Sequence, residues 1–140
     1  MTRSFPTILF AIFVLTACGG NHQLQSVTLS PPTAEAQNFP NGQVQFVAKG
    51  TFSDSSTPVT LTSKDIAWCY GGVTSVASSP AGVCAGNIAQ FATVDQNGLA
   101  QCINSFQGSV YILAGTTSGA VVPDMGQALK VFGSAVLTCP

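Results

Sequence analysis

From Leu24 onward, apolar side chains recur at every second position and almost nowhere at the spacing of a helix. Val27 and Leu29 alternate with Ser26, Thr28 and Ser30 before Pro31-Pro32 stops the run. After an Asn41-Gly42 turn signal, Val44, Phe46 and Ala48 face one way while Gln43, Gln45 and Lys49 face the other. That is the pattern of a half-buried strand. Phe52 follows across Gly50, a place for a bulge or bend. Ile66, Trp68 and Tyr70 alternate with Ala67 and Cys69, and Val110-Tyr111-Ile112-Leu113-Ala114 is apolar on both faces, as a central strand is. Such a chain is committed to sheets, and its 14 glycines and 8 prolines supply the turns between them.

The shorter pieces fit the same plan. Residues 54–58 read as a turn cluster and Val59-Thr60-Leu61 as a short edge strand. Residues 88–94 and 99–102 flank Asp95-Gln96-Asn97-Gly98 as a hairpin with an Asn-Gly turn. Leu129, Val131 and the stretch 136–138 make a closing strand interrupted at Gly133. Residues 71–87 and 116–126, rich in small and polar side chains, read as long loops. About seven short strands, no helix of ordinary length and no internal repeat predict an all-β, two-sheet sandwich.

The amino-terminal segment obeys a different rule. Arg3 precedes eight unbroken apolar residues, Ile8 to Leu15. Roughly 20 are needed to span a bilayer, so the run is a signal-peptide core rather than a membrane helix. Leu15-Thr16-Ala17-Cys18 then resembles the bacterial lipobox. The resemblance implies that the leader, residues 1–17, is cut off and that Cys18 carries diacylglycerol, with its new amino group acylated. The competing reading is an ordinary signal peptide with Cys18 near the cut by chance. Several acyl chains, at about 0.8 kcal/mol per buried CH₂, anchor a protein firmly. Residues 18–23 form a polar, glycine-bearing tether, and Gly19 rather than aspartate after the cysteine implies the outer membrane in a Gram-negative cell.

Without the leader, three lysines (Lys49, Lys64, Lys130) stand against five carboxylates (Glu35, Asp54, Asp65, Asp95, Asp124), and arginine is missing. No basic cluster exists to neutralise phosphates, so nucleic acid is not an expected partner. The sole histidine, His22, lies in the tether, too close to the anchor for a Ser-His-Asp or Cys-His arrangement. No cysteine lies two to four residues from another, so zinc-ligand spacing is absent, and no glycine-rich phosphate loop occurs. The expectation is a protein without catalysis, cofactor or metal. Asp95 and Asn97 offer only two oxygen ligands for calcium, and the Asn-Gly turn accounts for both. Trp68 reads as a core residue; stacking on a carbohydrate would require it exposed.

Cys69, Cys84, Cys102 and Cys139 remain, an even number in an exported chain, and read as two disulfides rather than free or metal-binding thiols. Loop closure favours Cys69–Cys84, a link of about 3 kcal/mol in the chain-entropy model, which leaves Cys102–Cys139.

Within a domain spanning residues 24–140, the stretch from Leu24 to Thr138 resembles a bacterial immunoglobulin-like domain of group 2. The matching segments are Val27-Thr28-Leu29-Ser30-Pro31, Gly42-Gln43-Val44-Gln45-Phe46, Gly50-Thr51-Phe52-Ser53-Asp54 and Ile66-Ala67-Trp68. They continue with Ala92-Thr93-Val94-Asp95-Gln96-Asn97-Gly98-Leu99-Ala100 and Gly108-Ser109-Val110-Tyr111-Ile112. The resemblance implies an immunoglobulin-like sandwich displayed at the cell surface as a spacer or adhesive unit. Its strand order implies four sulfurs gathered at one pole, with Cys69 and Cys102 at strand ends and neither bridge linking the two sheets. The insertion at 71–87, the four cysteines and the solitary domain depart from the family and point away from a pure spacer. Two functions follow as expectations. One is a lipid-anchored module binding an envelope protein or glycan through loops 71–87 and 116–126. The other is a structural envelope lipoprotein packing by a strand edge or sheet face.

Overall fold

Alternation places Val44, Phe46, Ala48 and Gly50 on one buried face, and the rest of the fold is built around that stripe. The computed structural model describes residues 22–75, 81–85, 91–103, 106–122 and 126–140. Among them ten strands form three sheets, joined in part by two single-turn 3-10 helices, and α-helix is absent. The first sheet is β1 (Leu24–Ser30), β4 (Val47–Phe52) and β5 (Ser55–Thr60), in the order β1-β4-β5. The second runs β2 (Thr33–Glu35), β10 (Gly126–Cys139), β9 (Gly108–Val122), β6 (Ala67–Val73). The third runs β3 (Gln43–Gln45), β8 (Leu99–Cys102), β7 (Ala92–Val94). All pairings are antiparallel except β2 with β10.

The expected count of about seven is therefore low. Three-residue strands such as β2 are too short to display a period, and the run 43–52 is divided where its neighbour changes. Phe46, between β3 and β4, donates its N–H to Gly98 O at 2.9 Å, while Leu61 N–H donates to Ala48 O at 2.9 Å. Within three residues the run passes from β8 to β5, so the first and third sheets share one layer. Val110, Ile112 and Ala114 of β9, Ala135 and Leu137 of β10, and Tyr70 of β6 close the core from the four-stranded sheet. The result is a sandwich-like body with Phe46, Ile112, Leu137, Val44 and Val110 fully buried. Each such side chain contributes about 1.5–3 kcal/mol by leaving water.

Strand β10 is not interrupted at Gly133. The residue is buried within the strand, and a Cβ there would lie 2.5 Å from Val27 O, so glycine is what lets β1 approach. Residues 116–122 belong to β9 and are paired back to β10, Val122 lying opposite Gly126, so this stretch is largely hairpin rather than loop. Thr117 to Ala120 are exposed, and a hairpin with no buried face has no apolar alternation to betray it. Residues 71–73 likewise extend β6, while residues 76–80 and 86–90 of the expected loop lie outside the described residues.

Cys69 is bonded to Cys84 and Cys102 to Cys139, with Cα atoms 5.5 and 5.8 Å apart. The four cysteines do not gather at one pole. Cys69 sits within β6 opposite Leu113, on the side of the sheet away from the core stripe of Tyr70 and Ile112. Cys139 lies opposite Gly108, five residues further along β9, or about 17 Å. Cys102 and Cys139 belong to different sheets, so their bond does join the two layers, contrary to the expectation from strand ends.

The bond at Cys84 explains why Val110–Ala114 is apolar on both faces. Ala85 N–H donates to Tyr70 O of β6 at 2.7 Å, Cys84 N–H to Gln127 O of β10 at 2.9 Å, and Leu129 N–H to Gly82 O at 2.7 Å. Since β9 lies between β6 and β10, residues 82–85 cross over it. Leu113 is fully buried beneath, and the Phe132 ring lies against Gly82.

Candidate functional site

Three constellations bear on function. The first is where the chain enters the body. His22, assigned to the tether from sequence, stacks its ring on Phe52 with centroids 4.1 Å apart, and its Nδ1 meets Asp54 Oδ2 at 2.8 Å. Gln23 N–H donates to Ser53 Oγ at 3.1 Å and Ser53 N–H returns to Gln23 O at 2.8 Å. The hydrogen bond from His22 holds the Asp54 carboxyl below the usual carboxylate range. This clasp is half open to water, with His22 62% exposed, and it positions the chain rather than a reacting atom. Cys18 and the leader lie outside the described residues.

The second is the β7–β8 turn. Asp95 Oδ1 accepts from Asn97 N–H and Leu99 N–H, both at 2.8 Å, so its carboxylate is engaged in fixing the turn. Gly98 has φ +83°, and a Cβ there would come within 2.8 Å of Trp68 Cζ2. Only glycine satisfies both conditions. Among the described residues no three His, Cys, Asp or Glu side chains gather as metal ligands.

The third is a groove at the seam where the β3–β4 run changes neighbour. Between Gly98 and Leu61 neither β8 nor β5 covers the run, and the gap is a concavity of about 220 Å³. Trp68 lines it with Gln45, Thr60, Thr62, Gln96 and Asn97, and no lining residue is charged. Gln45 Nε2 occupies the strand gap, donating to Phe46 O at 2.9 Å and Asn97 O at 2.7 Å. Thr62 N–H donates to Asp65 Oδ2 at 2.8 Å, and this bond, with a second from Thr62 Oγ1 at 2.8 Å, lowers the pKa of Asp65. Trp68, expected in the core, is half-buried: one edge rests on Gly98 and part of the ring meets the groove. Sequence alone did not mark this place, because the seam arises from strands far apart in the chain.

The structure brings Trp68 and Asn97 together but places Asp54, Asp65 and Asp95 in separate turns. No family model, no curated protein and no solved structure matches the chain.

Proposed function

We propose that this protein is a lipid-anchored, non-catalytic module of the cell envelope with an immunoglobulin-like body that binds an envelope protein or glycan. The observation that carries the reading is the strand order. One layer is β1, the β3–β4 run, β8 and β7, with β5 beside β4; the other is β6, β9 and β10, with β2 beside β10. With β5 and β2 set apart as additions, these orders support a reading as the A-B-E-D and C-F-G sheets of an immunoglobulin-type sandwich. The apolar leader and the Leu15-Thr16-Ala17-Cys18 pattern support export and acylation at Cys18. The scatter of the carboxylates and the use of His22 in a structural clasp support a role in recognition rather than chemistry.

The test is mass spectrometry of the protein from its own envelope, with Cys18→Ala beside it. The expected amino-terminal peptide begins at Cys18 and carries acyl chains, and the variant leaves the membrane fraction. An unacylated Cys18 would remove the anchor from this reading.

A structural role through strand-edge packing has one observation in its favour. All six residues of β5, at a sheet edge, are exposed, Val59 at 46%. Cross-linking from a residue of β5 in intact cells would capture an envelope component if that edge is the contact.

A further inference from the structure

We propose that the groove at the β3–β4 seam binds one uncharged sugar unit of a polysaccharide, stacked on Trp68. The inference rests on the reading of the chain as a binding module and gives that module its site and ligand class.

Charge comes first. None of the lining residues is ionisable, and the Asp65 carboxylate beside the lining residue Thr62 is already engaged by Thr62 N–H and Oγ1, so the lining offers a charged ligand no partner. Hydrogen-bonding capacity, by contrast, is plentiful and unspent. Thr60, Ser63, Gln96 and Asn97 line the groove, and among the described residues their side chains bond to no other protein group. The Trp68 indole N–H also meets no acceptor, and since no side-chain nitrogen or oxygen is buried without a partner, that N–H reaches solvent. An indole is a rigid, flat apolar surface with one polar edge, and its π face attracts the slightly positive C–H groups of a sugar ring. A pyranose has the complementary form: C–H bonds on its faces and hydroxyls around its rim. The rim hydroxyls would meet amides and hydroxyls from two walls, the end of β5 on one side and the β7–β8 turn on the other.

Size selects within that class. A cavity of about 220 Å³ is below the ~300–1,000 Å³ of pockets that enclose drug-sized molecules, so it accommodates one ring, with neighbouring units of a chain lying outside. The groove is also prearranged. Gln45 Nε2 ties its floor to Asn97 O, and Gly98 fixes the inner edge of the indole, so binding orders little that is not already ordered.

Trp68 is the only tryptophan, so its emission reports on this groove alone. The full mature protein, in a detergent without a sugar headgroup, would be titrated with glucose, galactose, N-acetylglucosamine and their short oligomers. Glucuronate and a neutral blocked peptide serve as comparators. The expected result is a saturable emission change with at least one neutral sugar and binding about tenfold weaker or worse for its charged counterpart. Gln96→Ala and Thr60→Ala, which keep the reporter, should each weaken binding several-fold with unchanged circular dichroism. Trp68→Ala, followed by calorimetry, should abolish it. No saturable change with any neutral sugar, or tighter binding of glucuronate or the peptide, overturns the proposal. Retention of wild type and Trp68→Ala alike on envelope material, with silent emission, rejects the groove and leaves the binding module standing. Retention of neither, with silent emission, rejects both.

Discussion

Gly98 illustrates how much a single position carries. Its left-handed backbone and its contact with Trp68 both exclude a side chain, so Gly98→Ala combines backbone strain with a clash against the indole. The expected loss is about 2–3 kcal/mol by denaturant unfolding, with a shift in Trp68 emission that accompanies displacement of the ring. Asp54 carries a different lesson. Its pKa is lowered in the folded state by the bond from His22, so the stability it contributes is present above the unfolded carboxylate value of about 3.9. That contribution disappears as pH falls through the folded value, and Asp54→Asn should flatten the acid limb of a stability–pH curve there. Neither property was legible from residue type. The Asn97-Gly98 turn could be read, but not that the indole would lie against it, and the amino-terminal His22 gave no sign of its partner thirty-two positions away.

At the scale of elements, strands with one buried face announced themselves. Val44, Phe46 and Ala48 all lie in the core, as do Ile66 and Tyr70. The distal part of the β9–β10 hairpin did not, because Thr117 to Ala120 are exposed and face no apolar partner. The seam groove was hidden for a related reason: alternation predicts which face a strand buries but not which strand lies beside it, and the groove exists only because β8 gives way to β5. Residues 82–85 behave as an added cover on the outer sheet rather than as a free loop. Removing the link by Cys69→Ala with Cys84→Ala should release that cover and expose Leu113. The expected signature is proteolytic cleavage near residues 81–85 and new binding of an apolar dye, with a loss of about 3 kcal/mol.

For the molecule as a whole, the Cys102–Cys139 bond has the larger effect. It connects the two layers across 37 positions, a constraint of about 4 kcal/mol in the chain-entropy model. Cys102→Ala with Cys139→Ala should therefore lower the global unfolding midpoint more than loss of the outer bond, while leaving residues 81–85 resistant to protease. Calorimetry and limited digestion together separate the two. The His22 clasp has a consequence at this scale as well. Four peptide units separate Cys18 from His22, a span of at most about 14 Å, so the acylation proposed at Cys18 would moor the body by the corner where β4 turns into β5. Phe46 lies just before the other end of β4, roughly 20 Å along the chain from that corner. An anchor at Cys18, as proposed above, would hold the molecule by its heel and turn outward the far pole, where the Cys102–Cys139 bond joins the layers beyond Trp68.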